Sequence, residues 1–417
     1  MADQVQKTEP TSREMLAYYL NKSYKDAEEG KAKGELVCWA SSIAPCEFCE
    51  TMGIHMLYPE NHAAAIAAKH GAEEMIQHAE SMGYSLDNCS YARINLAYMD
   101  VQNCVAENMP LPDFVLVCNN ICETLIKWYE NIAYQLNVPI IMIDVPYNYT
   151  YEPSEWAIDY IAAEFEHAIE QMEEITGKKF DYDKYHEVMQ IASESSYWWT
   201  KAMGMAAAEP SPLNGFDIFN YMALIVCMRG KTGCRDTFKK LAEELEAKTE
   251  RHEAAFKEGE KYRIMWDGIA CWPYLSHNYK AMRALGMNMT GSTYPRGWKL
   301  DYDKDDIRSM ARAYTSVGNN LSLEAQIDLK TEVVKTYNCQ GVTYHLNRSC
   351  KCMDFLFHEM QNEVARRTDT PYITFDGDQS DPRNFSKAQF ETRVQGLAEM
   401  MEQRKAQKEK EGRGQHV

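Results

Sequence analysis

The sequence has no apolar run approaching the roughly 20 residues that a bilayer-crossing helix needs. Its longest candidates, Phe114 to Val117 and Pro139 to Ile143, have the length of buried strands. The opening, Met1 to Arg13, is polar and lacks a signal-peptide core, so a cytosolic protein is expected. Positive charge is scarce: 44 Lys and Arg stand against 62 Asp and Glu, a formal charge of -18. That sign argues against nucleic acid and anionic membrane as partners. There is no Gly-x-Gly-x-x-Gly, no Walker A loop, no nucleophile-elbow serine and no His-Glu-x-x-His. Nucleotide hydrolysis within this chain and zincin chemistry are therefore unsupported.

Cysteine, by contrast, is plentiful. Thirteen of them, an odd number scattered through 417 residues, make a poor disulfide framework. Most are then either buried thiols or metal ligands. The length calls for two or three domains, and 45% hydrophobic with 25% charged residues is an ordinary globular balance.

The hydrophobic pattern divides the chain into five parts. Residues 1–30 form an N-terminal helical arm, with a helix from about Ser12 to Glu29. Residues 31–152 form a first α/β domain, with strands at Leu36 to Ala40, Asp113 to Val117 and Val138 to Ile143. Between the last two strands Leu125, Trp128, Tyr129, Ile132 and Leu136 recur at helical spacing, so strand, helix and strand make a right-handed parallel unit. Residues 153–260 read as a helical connector, in which Ile158, Ile161, Phe165, Ile169 and Met172 form a stripe that Gly177 ends.

Residues 261–404 form a second α/β domain with strands at Tyr262 to Ala270, Met287 to Thr290, Gly341 to Leu346 and Pro371 to Phe375. A final helix after Ser386 buries Phe390, Val394, Leu397 and Met401. Residues 405–417 are a charged, mobile tail. The fold class is thus α/β: two open, mainly parallel Rossmann-like sheets with flanking helices, joined by a helical segment.

Ligands of such sheets bind beyond the carboxyl ends of the strands. Cys118-Asn-Asn-Ile-Cys122 and Asn347-Arg-Ser-Cys350 sit there, and Cys89 precedes a helical stretch. Three thiolates from three separate loops suit a 4Fe-4S cluster with one iron left open as a Lewis acid, although each alone reads more readily as a packed thiol. Cys38, Cys104, Cys227 and Cys339 have apolar or helical neighbours and read as packed thiols. Cys46-Glu-Phe-Cys49 has the spacing of a redox pair or half a zinc site, but the second pair of a zinc site is missing and the pattern occurs readily by chance. Glu60 follows a proline and so falls in an extended or turn segment, where it is either a surface acid or a group that moves a proton. Ser42, at a strand end, is either a cap or a hydroxyl that bonds substrate oxygen or iron-bound solvent. Asp376-Gly-Asp-Gln379 lacks the calcium-loop pattern and reads as a structural or subunit-contact turn.

From about Glu35 to Met401 the chain resembles the α-type subunits of the 2-hydroxyacyl-CoA dehydratases of fermentative anaerobes. The resemblance lies in Tyr58-Pro-Glu-Asn, Asn88-Cys-Ser-Tyr-Ala-Arg, Cys118-Asn-Asn-Ile-Cys-Glu, Lys127-Trp-Tyr-Glu-Asn, Asn347-Arg-Ser-Cys-Lys and Phe375-Asp-Gly-Asp-Gln. It implies that Cys89, Cys122 and Cys350 hold a 4Fe-4S cluster, that Cys118 and Cys352 do not, and that Ser42 and Glu60 stand around the substrate. The chemistry it implies is radical. The thioester acidifies C2 and not C3, so one electron is lent to form a ketyl that expels hydroxide, and the C3 proton of the resulting radical is then acidic enough to remove.

The implied partners are a smaller β-type subunit, an ATP-hydrolysing iron-sulfur activator and a 2-hydroxyacyl-CoA, with room for a flavin (FMN or riboflavin) in the complex. Gly34-Glu-Leu-Val-Cys-Trp, Phe48-Cys-Glu-Thr-Met-Gly-Ile and the segment Ser211 to Val226 resemble the branch acting on (R)-lactoyl-CoA, which gives acryloyl-CoA. A bulkier aliphatic or aryl substrate, a related acyl-CoA reduction, or a non-enzymatic subunit holding structural zinc are the alternatives. Any CoA ester is anionic and needs a local basic pocket, which no motif marks.

Overall fold

The structure, a computed structural model, describes residues 9–150, 152–302 and 306–414. Eight strands form two separate four-stranded sheets: β1 (Val37–Ala40), β2 (His55–Leu57), β3 (Phe114–Cys118) and β4 (Ile140–Ile143), then β5 (Tyr262–Asp267), β6 (Met287–Ser292), β7 (Gly341–Asn347) and β8 (Tyr372–Gly377). Every pairing within them is parallel. β1, β3 and β5 are buried along their whole length, which is why they read as unbroken apolar runs rather than alternating ones. The α/β class with two open parallel sheets is as the sequence predicts.

The strand orders are β2-β1-β3-β4 and β6-β5-β7-β8, so the two halves repeat one arrangement without repeating a sequence. In each, the chain leaves the first strand to one side and later crosses back to the other. The crevices beyond the carboxyl ends of β1 and β3, and of β5 and β7, are the switch points where such sheets bind ligands.

Several strands differ from the sequence reading: β5 ends at Asp267 and not at Ala270, and β8 runs on through Asp376 and Gly377, which read as an end cluster. β2 is absent from that reading, because three residues are too few to show a period. β6 continues through Gly291 and Ser292, which read as an end cluster, and its pairing with β5 shifts register between Ile264 and Met265.

Helices Glu155–Thr176, Tyr182–Gly204, Gly215–Met228 and Thr232–Glu250 lie between the sheets in sequence. Gly177 closes the first of them at φ 67°, a left-handed conformation that glycine adopts without strain. Gly215 opens the third, where an added Cβ would stand 1.7 Å from the Met289 carbonyl oxygen; the helix touches β6 at that point because it has no side chain there.

A buried ionic cluster ties the segments together. Glu47, on the short helix Cys46–Met52, accepts from Arg229 Nε at 3.0 Å and from the hydroxyls of Tyr302 and Tyr314. Where the sequence reading has a charged mobile tail over 405–417, the helix Lys387–Gly414 runs on through Gly414. The Glu, Gln, Arg and Lys of this stretch favour helix, and Arg404 and Lys408 both pair with Asp369. Among the described residues, no helix is long and apolar enough to cross a membrane.

Candidate functional site

Ser41 and Ser42 follow β1 directly. The Ser41 N–H donates to the Leu116 carbonyl at 3.0 Å and its hydroxyl accepts from the Cys118 N–H at 3.0 Å, which locks the ends of β1 and β3 together. Ser42 then meets Glu60: its N–H donates to one carboxylate oxygen at 2.8 Å and its hydroxyl to the other at 2.9 Å. Tyr129 adds a third donor at 3.3 Å.

Glu60 is not in an extended segment. Pro59 occupies the first position of the helix Pro59–Ala68, where a missing N–H costs nothing, and Glu60 falls in its first turn. Burial pushes the Glu60 carboxyl up to about 7, against the pull of the Ser42 and Tyr129 hydrogen bonds. An acid at that value is half ionised near neutrality and can take or give a proton.

Cys89, Cys122 and Cys350 share one local geometry. Each is the N-cap of a helix: Ser90–Val101, Glu123–Leu136 and Lys351–Asp354 respectively. Burial pushes the thiols up, to about 11 at Cys89 and about 12 at Cys122, and strongly at Cys350. The backbone N–H groups of Ala92 and Tyr91, of Leu125 and of Met353 pull the other way, each favouring the thiolate. Cys122 is raised further by Cys89, and Cys350 by both, so the three sulfurs stand near enough to oppose one another's ionisation.

Behind them lies the loop after β8. Asp378 Oδ1 accepts from the Ser90 hydroxyl at 2.6 Å and from the N–H groups of Ser380 and Asp381 at 2.9 and 3.0 Å. Ser349 Oγ donates to Ser90 Oγ at 3.2 Å, so the residue after Cys89 and the residue before Cys350 are joined and fastened to one carboxylate. Gln379 Nε2 donates to the Cys89 sulfur at 3.2 Å. Sequence reading missed Ser90, Ser349, Asp378 and Gln379 as parts of a site. Only the placement of Asp378 and Gln379 beyond a strand end pointed to them.

All five residues singled out in the sequence, Ser42, Glu60, Cys89, Cys122 and Cys350, line one cavity of about 740 Å³. The N-terminal helix Ser12–Ala32 and the helix Gly215–Met228 wall it with Leu16, Leu20, Phe219 and Met222, and the segments that follow β5 and β6 contribute Trp272 and Tyr294. Arg13, Lys69, Arg296, Lys299 and Lys330 also line it. Lys330 pairs there with Asp267, Lys299 with Asp301 at 2.8 Å and Arg296 with Glu332 at 3.5 Å, and the cations come from segments far apart in the sequence, where no motif marks them.

A family model described as 2-hydroxyglutaryl-CoA dehydratase, D-component, matches residues 41–401. The chain belongs to this family. It is 48% identical to a lactoyl-CoA dehydratase subunit alpha of Anaerotignum propionicum, over 94% of this chain and 96% of that protein. It is 47% identical to an (R)-2-hydroxyisocaproyl-CoA dehydratase alpha subunit of Clostridioides difficile, over 94% and 97% of the two chains. An (R)-phenyllactyl-CoA dehydratase alpha subunit of Clostridium sporogenes is 46% identical, over 90% and 92%.

Against this D-component family background the other cysteines sort clearly. All thirteen are free thiols. Cys118 is buried within β3, and Cys352 is exposed with its thiol on the Ile121 carbonyl at 3.4 Å. Cys46 donates to the Arg229 carbonyl at 3.2 Å and Cys49 is fully buried, while the carboxylate of Glu47 between them accepts from Arg229 Nε. Cys38, Cys227 and Cys339 are buried. Cys104 is half-buried, with its thiol 3.5 Å from the Ala106 carbonyl.

Among the described residues no group of three or more His, Cys, Asp or Glu is placed to hold a single metal ion. A cluster core is several atoms across and takes its thiolates from further apart than one ion does. Three helix-capping sulfurs on one cavity, each met by backbone N–H, fit such a group.

Proposed function

We propose that the chain is the α-type subunit of a radical, iron-sulfur 2-hydroxyacyl-CoA dehydratase. The reaction eliminates water from an (R)-2-hydroxyacyl-CoA to give the 2-enoyl-CoA, with (R)-lactoyl-CoA to acryloyl-CoA as first substrate. The observation that carries this reading is the convergence of the Ser42–Glu60 pair and three N-cap thiols on one cavity. Cys89, Cys122 and Cys350 would hold a 4Fe-4S cluster, which supplies one-electron chemistry and an iron with an open position.

The residues of the chain supply the rest. Glu60, ionised, takes the C3 proton of the acyl group and passes it to the hydroxide leaving C2, which departs as water. Ser42 and Tyr129 hold the carboxylate in place. Arg13 and Lys69 take the CoA phosphates, and Phe219, Met222 and Trp272 exclude bulk water. One electron is lent to the thioester and recovered, so substrate yields enoyl thioester and water with nothing oxidised. The lender is an ATP-hydrolysing iron-sulfur activator, and a smaller β-type subunit completes the enzyme in the cytoplasm.

The apolar lining and the near-equal identities to isocaproyl and phenyllactyl enzymes favour a bulkier aliphatic or aryl substrate as the second reading. The test is anaerobic purification with the partner subunit, analysis for iron, sulfide and zinc, and assay with activator, ATP and a panel of thioesters. Iron and sulfide with turnover of lactoyl-CoA support the first reading. Turnover confined to a bulkier thioester selects the second, and zinc without sulfide sinks both.

A further inference from the structure

Gln379 is fully buried and reaches the cavity from the loop after β8. The orientation of a side-chain amide is read from its hydrogen-bond network, and here the network admits one solution. The Gln379 backbone N–H can only donate, and it meets Asn347 Oδ1 at 3.3 Å. The other end of the Asn347 amide is therefore Nδ2, which donates to Gln379 Oε1. That leaves Gln379 Nε2 as the atom turned toward the Cys89 sulfur, 3.2 Å away. An amide nitrogen cannot accept, so the sulfur is the acceptor whether it carries a proton or not. The Asn347 backbone N–H in turn donates to Asp354 Oδ1 at 2.9 Å, and the Gln379 backbone carbonyl accepts from the Trp272 N–H at 3.1 Å, so the backbone that carries each amide is held in place.

We propose that Gln379 is a positioning residue that fixes an N–H donor on the Cys89 sulfur and thereby raises the reduction potential of the iron-sulfur cluster this thiolate helps to hold. The inference rests on the cluster reading above. A reduced cluster carries one more electron, spread in part onto its thiolate sulfurs, so a donor on sulfur stabilises the reduced form more than the oxidised one. The donor comes from the second sheet while Cys89 belongs to the first half of the chain, so the contact also reports how closely the halves meet.

The test uses the full chain purified anaerobically with its partner subunit, wild type against Gln379→Met, a substitution of similar length without a donor. Iron and sulfide are counted, and the midpoint potential is measured by mediated titration followed by electron paramagnetic resonance. The substitution is confined to this chain, so any difference between the two preparations reports its cluster. The expected result is full cluster content with the reduction equilibrium moved about tenfold toward the oxidised form, a more negative midpoint by about 59 mV for one electron. An unmoved midpoint in the loaded variant overturns the proposal.

If the variant does not load, wild-type chain labelled with ¹⁵N in the glutamine side-chain amide decides. A hyperfine-coupled amide nitrogen on the reduced cluster supports the contact, and none overturns it. Wild-type chain free of iron and sulfide overturns the cluster reading and this inference together.

Discussion

Ser42 grips both oxygens of Glu60, one through its backbone N–H at 2.8 Å and the other through its hydroxyl at 2.9 Å. The carboxylate therefore has a fixed plane and a fixed face turned to the cavity. Glu60→Gln keeps the shape and removes the proton acceptor. Turnover should fall roughly 100- to 10,000-fold with little change in circular dichroism. Turnover within threefold of wild type would remove Glu60 from proton transfer.

The same bonds set the pH profile. They favour the charged form, so Ser42→Ala raises the carboxyl above its present value of about 7. Activity that needs Glu60 ionised rises through about pH 7 in wild type, and the rise should move to higher pH by about one pH unit in Ser42→Ala. A kcat profile measured for both proteins checks this.

Stability should show the opposite trend. The folded Glu60 carboxyl titrates near 7 against 4.5 for the free group, so between these values the folded state binds more protons than the unfolded state. The Glu60 contribution therefore falls as pH rises from about 4.5 to about 7, by on the order of 3 kcal/mol, and is flat above. Glu60→Gln should remove that fall, so urea unfolding should find the variant relatively more stable at pH 8 than at pH 4.5.

Among single cysteine-to-alanine variants, Cys89, Cys122 and Cys350 should each lose most iron and sulfide. Cys118 and Cys352 should keep them. Equal loss in all five would mean that the thiols act only through packing.

Arg229 and Glu47 are buried together, and the pair unites the helix Cys46–Met52 with the end of the helix Gly215–Met228. Arg229→Met strands a buried carboxylate and should cost about 3–5 kcal/mol, read as a lower urea midpoint. A cost under about 1 kcal/mol would show that water reaches the site.

What the sequence made legible was local. Parallel strands buried on both faces announced themselves as apolar runs, and strand ends singled out Ser42, Cys122 and Cys350. β2 escaped because three residues carry no period. Glu60 was found, but its setting was misread, since Pro59 starts a helix as readily as it ends one. The cavity-lining cations, the Ser90–Ser349–Asp378 link and the Gln379 contact join residues far apart in sequence, and no local pattern reports a pairing between residues 89 and 379.

The link from Ser90 through Ser349 to Asp378 carries a consequence for how the protein is made. Cys89 and Cys122 are synthesised early, but the carboxylate that fastens their surroundings to the Cys350 loop lies 288 residues after Ser90. During synthesis the first sheet can form while Cys89 and Cys122 still lack the Cys350 loop and the loop behind it. On the proposed cluster assignment, insertion of iron waits for Cys350 and its backing loop, and a ribosome stalled before Asp378 leaves the first two thiols without that loop.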